Sequence, residues 1–356
     1  MKIYGKIAAA LVAGAMAISV ATGVQAASRL EMAKIHVNTG RDFKYWTENS
    51  AAHKELVSFV EDVTNRRSKN FIPKEDRVAV FDMDGTFLCE TAPYYFDHML
   101  FIDRTLNDKT YTPSEDDRTF AEALNKWVQD KSSGENLGGS APHQSSVFVG
   151  TNFPDYTAYV QKFMETPVSG LSNLKWGEAL YLPMVEVIKY LEANDFKVYV
   201  VSGSERELVR VLVCDLLSIP RENIIGTDIK YLGSHQGDTQ GLDYTFRQDD
   251  ELIRGGFVIK NLKMNKVASI AREIGRQPVL AFGNSSGDAA MLNYTLTNNK
   301  YKSKAFFLLC DDLQRELGDM AKADKCRKLA NDNGWIPVSM RGDFKTIYGD
   351  KVKRTK

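Results

Sequence analysis

Short apolar runs rich in Val, Ile, Phe and Leu recur along the chain at Val78–Phe81, Val198–Val201, Ile224–Ile225, Val279–Phe282 and Ala305–Leu309. Uninterrupted runs of this length are the pattern of strands buried on both faces, as in a parallel sheet. Between them apolar residues return at helical spacing: Met184, Val187, Ile188 and Leu191, then Leu208, Val211 and Leu212, then Val267, Ile270, Ala271 and Ile274. Strand followed by helix, repeated, predicts an α/β fold with a doubly wound, Rossmann-like parallel sheet, whose site lies outside the carboxyl ends of the strands.

The stretch 96–178 has a different texture, polar and aromatic with no strong strand signal. It predicts a mostly helical cap inserted after the first core strand, with Gly138-Gly139-Ser140-Ala141-Pro142 as a loop. The polar region 231–256 predicts a hairpin, and the basic tail 351–356 a frayed, solvated end. The resulting division is 1–26 leader, 27–95 lead-in and first part of the core, 96–178 cap, and 179–356 the rest of the core with the tail.

Lys2 and Lys6 precede an uncharged stretch, Ile7 to Ala26, that closes on Val24-Gln25-Ala26. A positive start, an apolar middle and a small-residue exit predict a cleavable signal peptide, cut after Ala26, and a secreted or periplasmic protein. A single membrane anchor is the rival reading, because the run is nearly long enough to span. The 356-residue chain balances 46 basic against 46 acidic side chains, which argues against a protein built around a nucleic-acid backbone. Losing the leader removes two lysines and no acid, so the mature chain is slightly acidic. Four cysteines are present without a C-x-x-C or a Cys/His cluster, which speaks against zinc. Cys310 and Cys326 flank a polar helical segment and are the favoured disulfide, while Cys89 and Cys214 lie in apolar surroundings and are expected as buried thiols.

The strongest chemical signal is Val78-Ala79-Val80-Phe81-Asp82-Met83-Asp84-Gly85-Thr86. Two carboxylates one residue apart sit where a buried strand ends, and Gly85 lets the chain turn so that Asp84 folds back beside Asp82. Crowded carboxylates favour a divalent cation, or a raised pKa on one of them, and can supply a nucleophile and a general acid/base in one turn. Taken alone, the same residues also describe a capped strand end, since Asp-Gly is common in turns.

At these residues the chain resembles the haloacid dehalogenase superfamily of phosphohydrolases, which carry D-x-D-G-T at the end of the first core strand. Other pieces follow in the family's order. A second strand there ends in Ser or Thr, and Val200-Val201-Ser202-Gly203-Ser204 is similar, which implies that Ser202 and Gly203 hold phosphate oxygens. Without that company Ser202 is a plain strand-end serine. Ser204 and Glu207 read as an S-x-x-E capping box that starts a helix at once. Asn265 reads as an N-cap, and the resemblance favours the next residue, Lys266, over Lys260 and Lys263 as the lysine that neutralises the phosphate. Gly283-Asn284-Ser285-Ser286-Gly287-Asp288 stands where the family shows G-D-x-x-x-D, whose acids hold Mg²⁺. Asp288 keeps the last acid, but Asn284 replaces the first, and an amide oxygen ligates without bringing charge. The metal ligands implied are Asp82, Asp84 (through its main-chain carbonyl), Asn284 and Asp288, in a weakened Mg²⁺ site.

The resemblance further implies an aspartyl phosphate on Asp82, with Asp84 as general acid and then base. The family's dehalogenases lack the second aspartate, and its ion pumps carry D-K-T-G-T with many membrane spans, so the expected substrate is a small phosphomonoester. The long insertion is similar to the phosphoserine-phosphatase-like branch. The layout is closest to secreted bacterial phosphorylcholine phosphatases, through Phe43-Lys44-Tyr45-Trp46, the D-M-D of the first motif, Glu205–Val211, Glu222-Asn223-Ile224-Ile225-Gly226 and Pro278-Val279-Leu280-Ala281. Choline would ask for an aromatic cage. Tyr94, Tyr95, Phe96, Trp127, Tyr156, Tyr159, Phe163 and Trp176 are available, but aromatics in a helical insertion more often form its own core. Glu90 lies one position from where the branch places an acid. Phosphoryl transfer to another alcohol through the same intermediate, and a non-catalytic phosphate- or cation-binding relative, are the alternatives.

Overall fold

The computed structural model describes residues 26–130 and 139–355. The predicted leader, up to Gln25, lies outside them, as does Gly138.

Among the described residues nine strands form, in chain order β1 Val78–Phe81, β2 Leu171–Ser172, β3 Lys197–Glu205, β4 Ile224–Gly233, β5 Leu252–Ile259, β6 Leu280–Gly283, β7 Lys304–Leu309, β8 Ile336–Ser339 and β9 Lys353–Arg354. Seven make one sheet in the order β5-β4-β3-β1-β6-β7-β8. Its neighbours run parallel except at one edge, where β5 is antiparallel to β4. The predicted hairpin is this β4–β5 pair, whose arms reach further in both directions than 231–256.

Side chains alternate across the sheet as the strand period requires. Ala79, Phe81, Val198, Val200, Leu280, Phe282, Phe306 and Leu308 face one core, and Val78, Val80, Val201, Ile225, Ala281, Ala305 and Phe307 face the other. In-register Phe81, Phe282 and Phe306 stack across three strands, at centroid separations of 4.2 and 5.0 Å. Cross-strand aromatic contacts of this kind stiffen a sheet.

The helices are α1 Arg29–Ala33, α2 Ala51–Thr64, α3 Phe96–Ile102, α4 Glu115–Gln129, α5 Ser140–Ser146, α6 Phe153–Met164, α7 Leu182–Ala193, α8 Arg206–Leu217, α9 Met264–Ser269, α10 Ala289–Leu296, α11 Met320–Asn333 and α12 Met340–Asp343. Helices α3 to α6 stand between β1 and α7, so the inserted segment is mostly helical. The segment predicted as a loop there becomes α5: Gly139 takes a left-handed conformation (φ 83°) and the helix starts at Ser140. The tail is not frayed either. β9 pairs antiparallel with β2, and Thr355 N donates to the Gly170 carbonyl at 2.9 Å. No helix among the described residues is long and apolar enough to cross a membrane.

All four cysteines are free thiols, so the favoured Cys310–Cys326 disulfide is not formed. Cys310 is buried just past the end of β7, whereas the Cys326 thiol projects from α11 toward the Asn284 carbonyl at 3.7 Å.

Candidate active site

Register assembles the site. Phe81 pairs with Val200 on one side and Phe282 on the other, so Asp82, Ser202 and Asn284 emerge together at the carboxyl edge of β1, β3 and β6. Asp82 N still donates to the Phe282 carbonyl (2.9 Å), after which the chain wraps around the Met83 carbonyl, which accepts from Thr86, Phe87 and Leu88 N. Gly85 has φ +77° and Asn284 and Glu90 lie against it: a Cβ there would come 1.9 Å from Asn284 Nδ2 and 2.7 Å from Glu90 Oε2. Only glycine meets both demands. The Thr86 hydroxyl donates to Asp82 Oδ2 (3.2 Å) and approaches Asn284 Oδ1 (3.5 Å), linking the first and last motifs.

Lys266 is fully buried, and its ammonium donates to Asp82 Oδ1 at 2.5 Å and Asp288 Oδ1 at 2.7 Å. Lys260 instead approaches Asp97 at 3.9 Å, and Lys263 is the N-cap of α9 with φ 55°. Asn265 is therefore not the cap; it lies inside the first turn, and its amide donates back to the Lys260 carbonyl. Asp288 Oδ2 accepts from Asn284 N, Ser285 N and the Ser285 hydroxyl, so one carboxylate both fixes the loop after β6 and faces the lysine. Gly283 makes room for it, since a Cβ there would sit 2.6 Å from that of Asp288.

Ser202 is fully buried; its hydroxyl accepts from Ser204 N (3.0 Å) and its carbonyl from the Asn261 amide (3.0 Å). The Gly203 carbonyl accepts from the Thr227 hydroxyl (2.6 Å), and its Cα lies beside Leu262 and Lys260. Ser204 is not a helix cap. β3 runs on to Glu205, whose own carboxylate caps α8 by accepting from Glu207 N. The pairing of β3 with β4 shifts register between Val201 and Glu205, and the Ser204 hydroxyl donates to Asp84 Oδ2 at 2.7 Å.

Burial foremost, then the neighbouring Asp288, pushes the Asp82 carboxyl up to about 7 against the pull of Lys266. Asp84 is also raised well above the usual carboxylate range, by burial and then by Asp97 and Asp82. Burial disfavours the charge on Lys266, yet Asp288 and Asp82 hold its pKa above the ordinary value. Two buried carboxylates thus share one ammonium, with the Asp84 carboxyl beside them on Ser204. An all-oxygen donor set of this kind suits a hard divalent cation. Among the described residues no three His, Cys, Asp or Glu side chains gather closely enough to hold a metal alone. A cation here would therefore also need the Asn284 amide oxygen or a main-chain carbonyl.

Beside this cluster opens a cavity of about 570 Å³ lined by Glu90, Tyr94, Tyr95, Leu317, Met320 and Lys322. Glu90 Oε1 accepts from Lys322 (2.6 Å), while Oε2 is buried with no partner among the described residues. The other aromatics are structural. Phe96, Phe163 and Trp176 pack on one another, Trp127 packs against Tyr94, Tyr156 lies under Arg254, and Tyr159 binds Asp103.

Sequence reasoning missed Ser204, Asp97, Thr86 and Asn261 as neighbours of the site. Thr86 and Ser204 stood inside the quoted motifs, whereas Asp97 and Asn261 carry no local signal and are recruited by tertiary structure alone.

The sequence matches the haloacid dehalogenase-like hydrolases over residues 79–293. No curated protein matches it. Among solved structures it is similar to a conserved functionally unknown protein from Anaerococcus prevotii DSM 20548 (TM-score 0.50, 13% identity, covering 83% of this chain and 92% of that one). It is also similar to a protein of unknown function from Bordetella pertussis Tohama I (0.47, 16%, 74% and 97%). A third is a phosphoserine phosphohydrolase-like protein from Francisella tularensis subsp. tularensis SCHU S4 (0.38, 15%, 73% and 94%).

Proposed function

The chain belongs to the haloacid dehalogenase-like hydrolases, and within that family we propose that it is a secreted, Mg²⁺-dependent phosphomonoesterase acting on small phosphate esters. The observation that carries this reading is the buried triad in which Lys266 bridges Asp82 and Asp288, with Asp84 two residues on. Asp82 Oδ attacks phosphorus as the ester P–O bond breaks, and the Asp84 carboxyl gives its proton to the departing alkoxide oxygen. Asp84, now a carboxylate, takes a proton from the water that attacks the aspartyl phosphate, and the bond from phosphorus to Asp82 breaks to release phosphate. Lys266, the Ser202 hydroxyl and the Gly203 amide hold the transferring phosphoryl oxygens, where charge is greatest in the transition state. Mg²⁺, held by Asp82, Asn284, Asp288 and the Asp84 main-chain carbonyl, would neutralise phosphoryl charge when bound.

Within this class the reading extends to phosphocholine-type esters. Tyr94 and Tyr95 offer aromatic faces to a cationic alcohol in the adjoining cavity, whose wall also holds the Glu90–Lys322 pair. Residues 1–26 are read as a cleaved leader, which protein sequencing of the exported protein checks by a mature terminus at Ala27.

The test is release of inorganic phosphate from p-nitrophenyl phosphate and a panel of alkyl phosphates, phosphocholine and phosphoserine included, across a Mg²⁺ titration with an EDTA control. The expected result is cation-dependent turnover that disappears in Asp82→Asn. Full turnover by Asp82→Asn, or no release from any ester at any Mg²⁺ concentration, would sink the assignment.

A further inference from the structure

Asp84 uses its two carboxyl oxygens differently. Oδ2 accepts the Ser204 hydroxyl at 2.7 Å, whereas Oδ1 is buried and has no partner among the described residues. A buried polar atom left unpaired is costly, so Oδ1 is the oxygen left free for a reacting group. The bond at Oδ2 determines where Oδ1 points.

Ser204 is itself placed by the end of β3, where its N–H donates to the Ser202 hydroxyl oxygen. The register shift near the end of β3 turns the strand there, and such irregularities re-aim side chains beside active sites. The hydroxyl also lies 3.4 Å from Asp97 Oδ2, on α3, but its single proton goes to the nearer acceptor, Asp84 Oδ2 at 2.7 Å. Asp97 Oδ1 accepts from His98 Nδ1 at 2.5 Å, and His98 Nε2 meets the Ser140 hydroxyl, at the start of α5, at 3.0 Å. Lys260 stands 3.9 Å from Asp97 Oδ2 as the nearest positive charge. Ser204 is 2% exposed, Asp97 7% and Ser140 9%, so water does not compete freely for these bonds. The bond from Ser204 to Asp84 is thus shielded from water, and Asp97, His98 and Ser140 form a polar cluster of the inserted segment beside it.

We propose that Ser204 is a positioning residue that, by donating to Oδ2, aims Asp84 Oδ1 at the leaving-group oxygen. This rests on the reading of Asp84 as the acid that protonates the departing alcohol.

The experiment compares kcat/KM, which reports steps up to phosphoryl transfer, for an alkyl ester (phosphocholine or glycerol phosphate) and for p-nitrophenyl phosphate. An alkoxide needs a proton to leave and a nitrophenolate barely does, so the alkyl/aryl ratio reads the acid. Because both substrates are measured on one preparation, the ratio does not depend on the folded fraction. Asp84→Asn should lower the ratio on the order of 10²-fold or more. Ser204→Ala should lower it roughly tenfold, and Ser204→Thr, which keeps the hydroxyl, should recover most of it. If Asp84→Asn shifts the ratio but Ser204→Ala does not, the positioning inference is overturned. If Asp84→Asn itself depresses both substrates equally, the acid assignment beneath it fails.

Discussion

Asp82→Asn is expected to abolish turnover and, without a divalent cation, to make the protein more stable. Burial and Asp288 push the Asp82 carboxyl from 3.8 up to about 7. Between those values the unfolded chain has released a proton that the folded protein still holds, so wild-type stability falls as pH rises through this window and the loss is complete above it. Asparagine mimics the protonated acid and escapes the loss. Each step of one in pH across the window costs wild type about 1.4 kcal/mol, so the advantage of the variant is about 2 kcal/mol at about pH 5.5 and about 4 kcal/mol at about pH 8. Groups remote from Asp82 cancel in the difference between the two proteins, whereas Asp84 and Lys266, which feel its charge, do not cancel completely. The assay is urea denaturation of both in EDTA across this range, repeated with Mg²⁺, which should favour wild type and narrow the gap. A difference independent of pH, or a variant less stable than wild type at pH 8, would refute the picture of Asp82 as a strained anion.

Gly85→Ala should lose activity and about 2 kcal/mol or more of stability, because the new Cβ needs φ +77° and overlaps Asn284 and Glu90; phosphate release and thermal denaturation would show it, and near-wild-type behaviour would count against the loop geometry. Arg254 is 1% exposed, donates to Glu205 Oε2 at 3.0 Å, and lies 3.6 Å over the Tyr156 ring. Arg254→Met should cost about 3–5 kcal/mol in urea denaturation, since it strands a half-buried carboxylate, and a change below about 1 kcal/mol would show that the pair is not stabilising. Glu186, buried on α7 and accepting from Lys44 and Tyr45 N, is pushed up by burial from 4.5 to about 7. Stability should therefore fall by about 3 kcal/mol as pH rises through that interval, and Glu186→Gln should flatten the fall in the same denaturation series.

The central strands were legible because burial on both faces leaves a run such as Val78–Phe81 with no polar interruption. β5 was harder, since Leu252–Ile259 contains Arg254, Gly255 and Gly256 and forms an edge where one face meets the inserted helices. The placement of Lys266 was legible once its helix was recognised: its ammonium reaches Asp82 and Asp288, whereas Lys260 lies beside Gly203 near Asp97 and Lys263 caps the helix. The Ser204–Glu207 signature misled for a physical reason: the strand continues four residues beyond its apolar run, to Glu205, which takes the cap. Cys310 and Cys326, close in sequence, are set apart by the different directions of β7 and α11. The contact between Asp97 and Ser204 joins positions 107 residues apart, and no local pattern encodes that.

The place of β1 in the sheet also governs how the molecule is made. It is synthesised before every other strand of the main sheet, yet it lies at the centre, between β3 and β6. Those partners follow about 120 and about 200 residues later, which at ribosomal rates is on the order of ten seconds or more for each edge. Through that interval Val78–Phe81 waits as an apolar ribbon with both hydrogen-bonding edges open, and Asp82 has neither its lysine nor its loop. The residues that would do the chemistry meet only when nearly the whole chain has emerged, so a nascent chain stopped before Lys266 holds the nucleophile without the charge that sets it.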